Sequence, residues 1–275
     1  MQKTKNKTLL LFVSIILVIL IGFSVKIPAV LSSLFDINFS DTITDLIKVA
    51  IRLLTVTLMF YLVRKLLDVK IQIGKENLIK GIFLYGLAVI VLDIYHLISN
   101  YGGVEKSASE IIPSLLLLII TTSCIGLFEE ILCRGFLFNA FKDYFGDSKK
   151  GIYLSVFLSS FIFGLFHLTN LIDKPYLVIG TICQVLYATF GGVLFAVIYY
   201  RTQNILPGII LHASFNFTSL MWKSFRIIDE QKIQTEAKDM SVFAALYVLL
   251  IYSPLLISGI IQLIIIFRKK EKIKQ

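Results

Sequence analysis

The stretch FEEILCRGFLF, residues 128–138, places three ionisable side chains in an otherwise apolar segment. Two are the carboxylates of Glu129 and Glu130, and the third is the guanidinium of Arg134. A charge at membrane depth costs at least about 2.5–3.5 kcal/mol on insertion scales, so such a group is usually paired or functional. Apolar sequence continues on both sides of the stretch. The function of the chain therefore depends on why these charges lie here.

The amino-acid composition is that of a membrane protein. Of the 275 residues, 57% are hydrophobic and 16% are charged, whereas soluble domains have roughly 45–50% and about 25%. Apolar runs of about 20 residues are long enough to cross a bilayer as helices. We therefore predict an all-α, polytopic transmembrane helix bundle, with residues 1–275 forming a single transmembrane domain. About eight spans are predicted, near residues 8–25, 43–63, 78–98, 111–133, 152–169, 176–200, 205–222 and 241–267.

The fourth of these helices is predicted to continue beyond its membrane stretch. No helix-breaking residue follows between Pro113, which suits a first helical turn, and Gly146. Glu129, Glu130 and Arg134 should therefore lie on one uninterrupted helix.

The distribution of basic residues predicts that both termini lie in the cytoplasm. With the N-terminus inside, most of the 27 Lys and Arg residues fall in cytoplasmic segments, as the positive-inside rule requires. The net charge of +9 follows from this bias and from contact with anionic lipid. Nucleic-acid binding would need a basic face on a soluble domain, so no nucleic-acid partner is expected. We expect a multi-pass protein of the cell membrane, and the many Lys and Ile residues with a single Trp suggest a bacterial source.

Three residue pairs carry the polar groups of the motif-bearing core, at about residues 111–222. Each pair is spaced i,i+4 on a different predicted helix. They are Glu130 with Arg134, Phe163 with His167, and His212 with Asn216. Residues four apart share one face of a helix. Depths estimated from the rise per residue bring Glu129, His167, His212 and Asn216 to a similar level, nearer the cytoplasmic side.

The two adjacent glutamates are predicted to have different roles. Neighbouring residues point about 100° apart on a helix, so Glu130 can reach Arg134 while Glu129 faces elsewhere without a partner on its own helix. An unpaired carboxylate at membrane depth is a candidate general base. Each group also has a plain structural alternative: the glutamates would mark a helix leaving the membrane, His167 a helix-capping core histidine, and His212 with Asn216 hydrogen bonds between helices.

Other polar residues in the spans carry less information. Asp93 and His96 are interpreted as a local polar pair near the outer interface. Cys124, Cys133 and Cys183 have no pairing pattern, so they are interpreted as small buried side chains rather than a disulfide or thiolate metal site. The chain has neither an HExxH zinc motif nor a GxSxG serine elbow.

The three motifs, in this order and on successive helices, resemble those of the CPBP family. These are the CAAX-prenyl-protease and bacteriocin-processing intramembrane proteases, also called Abi proteins. The resemblance covers residues 129–216 and implies a helix bundle with endopeptidase activity on a peptide or membrane-protein substrate. By matching position, Glu129 and His167 would activate water, and His212 and Asn216 would form an oxyanion hole. Glu130, Arg134 and Phe163 would then support this site.

The resemblance leaves the metal open, because the family is commonly named as metalloproteases. Glu129, His167 and His212 would supply three ligands to a catalytic zinc. Direct activation of water by Glu129 and His167 is the preferred alternative, since Asn216 is a poor zinc ligand. Two further functions stay open: a non-catalytic membrane protein of bacteriocin self-immunity, and a proton-coupled transporter. The scarcity of broken helices and the lack of repeat symmetry count against transport.

Overall fold

A computed structural model describes residues 6–37, 39–100, 102–227 and 240–273. These residues form helices and connecting turns, with no strand among them, which confirms the predicted all-α bundle. Six segments are long and apolar enough to cross a membrane. They are Lys7–Phe35, Asp41–Leu67, Ala108–Phe145, Lys149–Ile172, Val178–Thr202 and Val242–Lys269.

The α-helices are α1 Lys7–Phe23, α2 Ile27–Phe35, α3 Asp41–Leu62, α4 Leu87–Ser99, α5 Ala108–Glu130, α6 Asn139–Phe145, α7 Lys149–Phe166, α8 Asn170–Asp173, α9 Val178–Thr202, α10 Leu206–Leu220 and α11 Val242–Ile273. Turns of π-helix cover Val63–Leu67, Lys80–Tyr85 and Ile131–Phe138. Short 3₁₀ turns cover Ser24–Lys26, His167–Thr169 and Met221–Ser224.

The two remaining predicted spans correspond to shorter helices. The span predicted near residues 78–98 is divided at Gly86, between the π-turn that ends at Tyr85 and α4. The span predicted near residues 205–222 is α10, whose 15 residues extend about 22 Å at 1.5 Å per residue. That length is less than the roughly 30 Å of a bilayer core. The prediction of about eight spans is compatible with these eight apolar segments, although two of them are short.

The predicted continuation of the fourth helix is confirmed. Helical structure runs without interruption through α5, the π-turn Ile131–Phe138 and α6. The helix starts at Ala108 because Ser107 and Glu110 form a capping box, in which the Ser107 N–H donates to Glu110 Oε2 at 2.9 Å. Pro113 therefore lies in the second turn rather than the first.

Close packing between α5 and α10 sets the position of the ionisable groups. A methyl group added at Gly126 in α5 would lie 2.9 Å from the carbonyl oxygen of Ile209 and 3.0 Å from the amide nitrogen of Ala213, both in α10. The two backbones therefore touch at this level. Glu129 and Glu130 follow Gly126 within about one turn, so their carboxylates meet the side chains of α10.

The helix α9 packs against both α7 and α11, while α5 also packs against α3.

Asp93 and His96 in α4 were predicted to form a local polar pair. They do not contact each other directly but are bridged by Thr218 in α10. Thr218 Oγ1 donates to Asp93 Oδ1 at 2.9 Å and lies 3.3 Å from His96 Nδ1, and Tyr252 Oη in α11 lies 2.8 Å from His96 Nε2. The histidine is buried, so this network joins three helices inside the bundle. The three cysteines are free thiols.

Candidate active site

A buried ion pair lies at the centre of the opening stretch. Nη1 of Arg134 is 3.0 Å from Oε1 of Glu130, and both side chains are almost completely buried. Nη2 of the same guanidinium donates to the carbonyl oxygen of Gly192 in α9 at 3.2 Å. The residues after Glu130 form the π-turn Ile131–Phe138, a rare geometry that is frequent at functional sites. The ion pair of Glu130 and Arg134 is the contact that their i,i+4 spacing predicts.

Aromatic rings enclose the guanidinium of Arg134. Its central carbon lies 4.8 Å from the ring centre of Phe163 and 5.4 Å from that of Phe195. Cation–π contacts of this kind are worth about 0.5–2 kcal/mol. Arg134 is thus held by a carboxylate on its own helix and by rings from α7 and α9.

His212 lies between the two glutamates. Its Nδ1 is 2.9 Å from Oε1 of Glu130, and its Nε2 is 3.2 Å from Oε2 of Glu129. A neutral imidazole has only one N–H, so both contacts are satisfied together only when the ring carries two protons or one carboxyl group is protonated. Glu129, which has no partner on its own helix, therefore receives one from α10.

The ring of Phe163 contacts both histidines of the site. His167, at the end of α7, lies edge-on to Phe163 with ring centres 5.4 Å apart, and His212 is 5.8 Å away in a similar orientation. Nδ1 of His167 lies 3.4 Å from the carbonyl oxygen of Phe163. The opposite face of His212 is stacked on Phe195 at 5.1 Å. These contacts fix the plane of each imidazole.

One cavity brings the four predicted catalytic side chains together. Glu129, His167, His212 and Asn216 all line a space of about 330 Å³. A smaller cavity of about 210 Å³ is lined by the two histidines and Asn216 but not by Glu129. Side-chain exposure separates the two glutamates, since Glu129 is 27% exposed and Glu130 is 1% exposed. Glu129 therefore faces the cavity, and Glu130 does not.

Several polar residues of this cavity were missed by the sequence reasoning. Lys26, Lys48 and Arg52 line the cavity, as do Asn170 and Gln184. The amide of Asn170 donates to Oε1 of Gln184 at 3.0 Å. Lys48 and Arg52 carried a signal, because both are charges inside the predicted span 43–63, but neither has a carboxylate at i,i+4 that would have drawn attention to it.

The zinc that the sequence left open would be held by Glu129, His167 and His212. Among the described residues, no three His, Cys, Asp or Glu side chains are grouped so that they could hold a metal ion. Both ring nitrogens of His212 face carboxylate oxygens, Nδ1 that of Glu130 and Nε2 that of Glu129. The arrangement suits proton transfer between carboxylate and imidazole.

Comparison with known proteins shows a family similarity over part of the chain. The family model described as Type II CAAX prenyl endopeptidase Rce1-like matches residues 111–218. No curated protein matches the chain. The matched segment contains all three motifs, from Glu129 to Asn216, which confirms the resemblance drawn from their order and spacing. Residues 111–218, which are less than half of this chain of multiple apolar helices, are therefore similar to the CAAX prenyl endopeptidases.

Proposed function

We propose that the chain is an intramembrane endopeptidase that hydrolyses a peptide bond in a membrane-associated or leader-bearing peptide, with Glu129 as the general base. The observation that carries this proposal is the contact of Glu129 with His212 on the wall of a cavity that His167 and Asn216 also line. Its volume of about 330 Å³ is at the small end of the range of ligand pockets. It suits a short extended segment of peptide.

The first step is attack by water. The carboxylate of Glu129 takes a proton from a water molecule in the cavity, and the oxygen of that water forms a bond to the carbonyl carbon of the substrate. His167 lines the same cavity and assists by holding the water. Glu130 is unsuited to this role, because its carboxylate is buried against Arg134 and His212.

The second requirement is stabilisation of the negative charge that develops on the carbonyl oxygen. His212 and Asn216 lie one turn apart on α10 and provide an imidazole N–H and a carboxamide NH₂. Because Glu130 lies at hydrogen-bond distance from Nδ1 of His212, its negative charge favours the imidazolium. The Nε2–H of that ring turns from Glu129 to the oxyanion once Glu129 has taken the proton from water. A charged donor forms a stronger hydrogen bond than a neutral one.

The final step breaks the peptide bond. The proton held by Glu129 passes to the nitrogen of the leaving amine as the C–N bond breaks, which leaves a carboxylic acid on one product and an amine on the other. No step needs a metal.

The membrane topology that accompanies this proposal has both termini in the cytoplasm. The chain forms a single domain over residues 1–275, with the motif-bearing core at about residues 111–222.

Comparative peptidomics tests the function. Peptides are profiled in a strain that lacks the protein and in the same strain complemented with wild-type protein or with Glu129→Ala. Endopeptidase activity predicts cleavage products that require the wild-type protein and disappear with Glu129→Ala. Bacteriocin self-immunity that survives Glu129→Ala, with no change in the peptides, would instead support the non-catalytic alternative.

A further inference from the structure

Asp93 is a half-buried carboxyl group that the proposed hydrolysis does not use. It lies in α4 and accepts two hydrogen bonds from α10. Ser214 Oγ donates to its Oδ2 at 2.8 Å, and Thr218 Oγ1 donates to its Oδ1 at 2.9 Å. We name Ser214 and Thr218 the hydroxyl pair. Because each oxygen of Asp93 accepts from one member of the hydroxyl pair, α4 holds α10 at two points one helical turn apart.

The hydroxyl pair lies on the face of α10 opposite to the proposed oxyanion donors. Its members follow His212 and Asn216 by two positions each, which is about 200° around a helix. On the other face, Nδ1 of His212 lies 2.9 Å from Oε1 of Glu130 in α5. The helix α10 is therefore held between two carboxyl groups, that of Glu130 and that of Asp93.

The hydrogen bonds around Asp93 continue to a third helix. Because Thr218 Oγ1 gives its proton to Asp93, it accepts from His96 at their contact of 3.3 Å, which puts the proton of the neutral ring on Nδ1. Nε2 of His96 then accepts from the hydroxyl of Tyr252 in α11 at 2.8 Å. Every member of this chain has a partner, and a fully satisfied buried network is rigid. It therefore keeps the Thr218 hydroxyl directed at Asp93.

His212 and Asn216 differ in how their side chains are held. Both ring nitrogens of His212 face glutamates, and its ring is stacked on Phe195. Among the residues that the structure describes, none forms a hydrogen bond with the carboxamide of Asn216. Asn216 lines both cavities of the site. Its position there depends on the rotation and height of α10.

We infer that Asp93 is a positioning residue for Asn216: through the hydroxyl pair it fixes the rotation and height of α10, and so directs the carboxamide at the oxyanion. This inference rests on the proposed hydrolysis. A donor stabilises an oxyanion at about 2.7–3.1 Å, and misplacement by about 1 Å can cost 100-fold in rate. A role of Asp93 in stability alone is the alternative that the experiment must separate.

The substitutions that test this role leave few groups without partners. In Asp93→Ala the hydroxyl pair keeps acceptors on its own helix, because Ser214 Oγ lies 2.9 Å from the Leu211 carbonyl oxygen and Thr218 Oγ1 lies 3.2 Å from that of Phe215. Asp93→Asn keeps an oxygen that accepts from Thr218 and gains an NH₂ that donates to Ser214. Thr218→Val keeps the size of the side chain and removes its hydroxyl.

A double-mutant cycle separates positioning from stability. Full-length protein in lipid nanodiscs is given one internally quenched, N-palmitoylated peptide, the one that wild-type protein cleaves fastest in a randomised library. Asp93→Ala, Asp93→Asn and Thr218→Val are each measured with and without Asn216→Ala. The readouts are kcat, KM and melting temperature. The control is Ser155→Ala, which removes a buried hydroxyl of α7 that donates within its own helix to the Gly151 carbonyl oxygen at 2.8 Å.

With Asn216 present, we expect Asp93→Ala to lower kcat about 100-fold. Thr218→Val should lower kcat about tenfold, which corresponds to about 1.4 kcal/mol, and KM should stay nearly constant. Asp93→Asn should restore most of the kcat that is lost in Asp93→Ala. With Asn216→Ala, the same substitutions should change kcat less than about twofold, because the group that they position is gone. Ser155→Ala should leave kcat unchanged in both backgrounds.

Four results would overturn the role of Asp93. Equal losses of kcat in both backgrounds would do so, because a loss of folded protein does not depend on Asn216. The others are a wild-type kcat in Asp93→Ala, a rise in KM alone, and a loss in Asp93→Asn as large as in Asp93→Ala. If Asp93→Ala does not accumulate, Thr218→Val provides the same comparison of backgrounds.

Failure of the wild-type protein has a different meaning. Wild-type protein that cleaves no peptide of the library would count against both the proposed hydrolysis and the role of Asp93. The four results that overturn the role of Asp93 leave the hydrolysis intact, so the two failures are distinguishable.

Discussion

Nδ1 of His212 lies 2.9 Å from Oε1 of Glu130, so the glutamate that pairs with Arg134 also holds the imidazole of a neighbouring helix. Glu130 thereby links the ion pair of α5 and its π-turn to α10. A group that was predicted from sequence to stabilise the helix bundle is also placed to orient the histidine that faces Glu129.

The first prediction concerns this linked ion pair. Glu130→Ala and Arg134→Ala each leave an uncompensated buried charge, which costs roughly 3–5 kcal/mol in soluble proteins. Both variants should therefore lower the amount of membrane-inserted protein and its melting temperature, and Glu130→Ala should also reduce cleavage by the protein that remains. Thermal melts of protein purified in detergent measure the first effect. An Arg134→Ala variant as stable as wild type would show that the pair has no such role.

The charge-swapped double variant refines this prediction. In Glu130→Arg with Arg134→Glu, the ion pair can form again, but a guanidinium then faces His212. We expect part of the protein abundance lost in either single reversal to return without any return of cleavage. Recovery of both properties would mean that Glu130 acts on Arg134 alone.

The second prediction concerns the ring of Phe163, which contacts both histidines and Arg134. Phe163→Leu keeps an apolar side chain but removes the ring contacts and a cation–π contact of about 0.5–2 kcal/mol. We expect about a tenfold loss of kcat with a small loss of stability. The control is Phe161→Leu, on the same helix, because Phe161 is exposed and should have little effect. Equal effects of the two substitutions would contradict the role of Phe163.

The third prediction concerns the close approach of α5 and α10. Gly126→Ala would bring its methyl group to 2.9 Å from the Ile209 carbonyl oxygen, so the helices must separate and carry Glu129 away from His212. Misplacement by about 1 Å can cost 100-fold in rate, and we expect a loss of that order in cleavage. Gly180→Ala is the matched control, because the nearest atom to its added methyl group is Met240 Sδ at 3.8 Å. Normal cleavage by Gly126→Ala would show that this contact does not set the site.

The fourth prediction concerns metal dependence. Because both nitrogens of His212 face glutamates, we expect purified protein to keep its cleavage rate after treatment with EDTA or 1,10-phenanthroline. Elemental analysis should find less than one zinc per chain. Protein that is inert after chelation and restored by stoichiometric zinc would contradict a mechanism based on Glu129 alone.

The sequence predicted contacts within a helix better than contacts between helices. The spacing of Glu130 and Arg134 identifies their pairing because both lie on one helical face. His212 is 82 residues away from Glu130, and spacing along α10 says nothing about which face of α5 it meets. That contact depends on the approach of the two backbones at Gly126. Gly126 can be seen in the sequence, but the residues of α10 that pack against it cannot be read from the sequence.

Two further differences have local causes. The predicted third span treated residues 78–98 as one helix, although Gly86 interrupts it, because a single glycine in an apolar run does little to alter mean hydropathy. Arg52 was not recognised because Lys48, its neighbour at i,i+4, carries the same charge, and Glu129, which attracts Arg52, lies in another part of the chain. The sequence therefore predicted four side chains that line one cavity and missed Lys26, Lys48 and Arg52, which line it too.

The central claim is that Glu129 takes the proton from water, whereas Glu130 stabilises the helix bundle through its ion pair with Arg134. Glu129→Gln keeps the size and packing of the side chain but removes its ability to accept that proton. The most direct test measures membrane-inserted protein and cleavage side by side for wild type and Glu129→Gln. We predict normal abundance and melting temperature, with cleavage reduced to the background of membranes that lack the protein. Cleavage by Glu129→Gln at the wild-type rate would contradict this account.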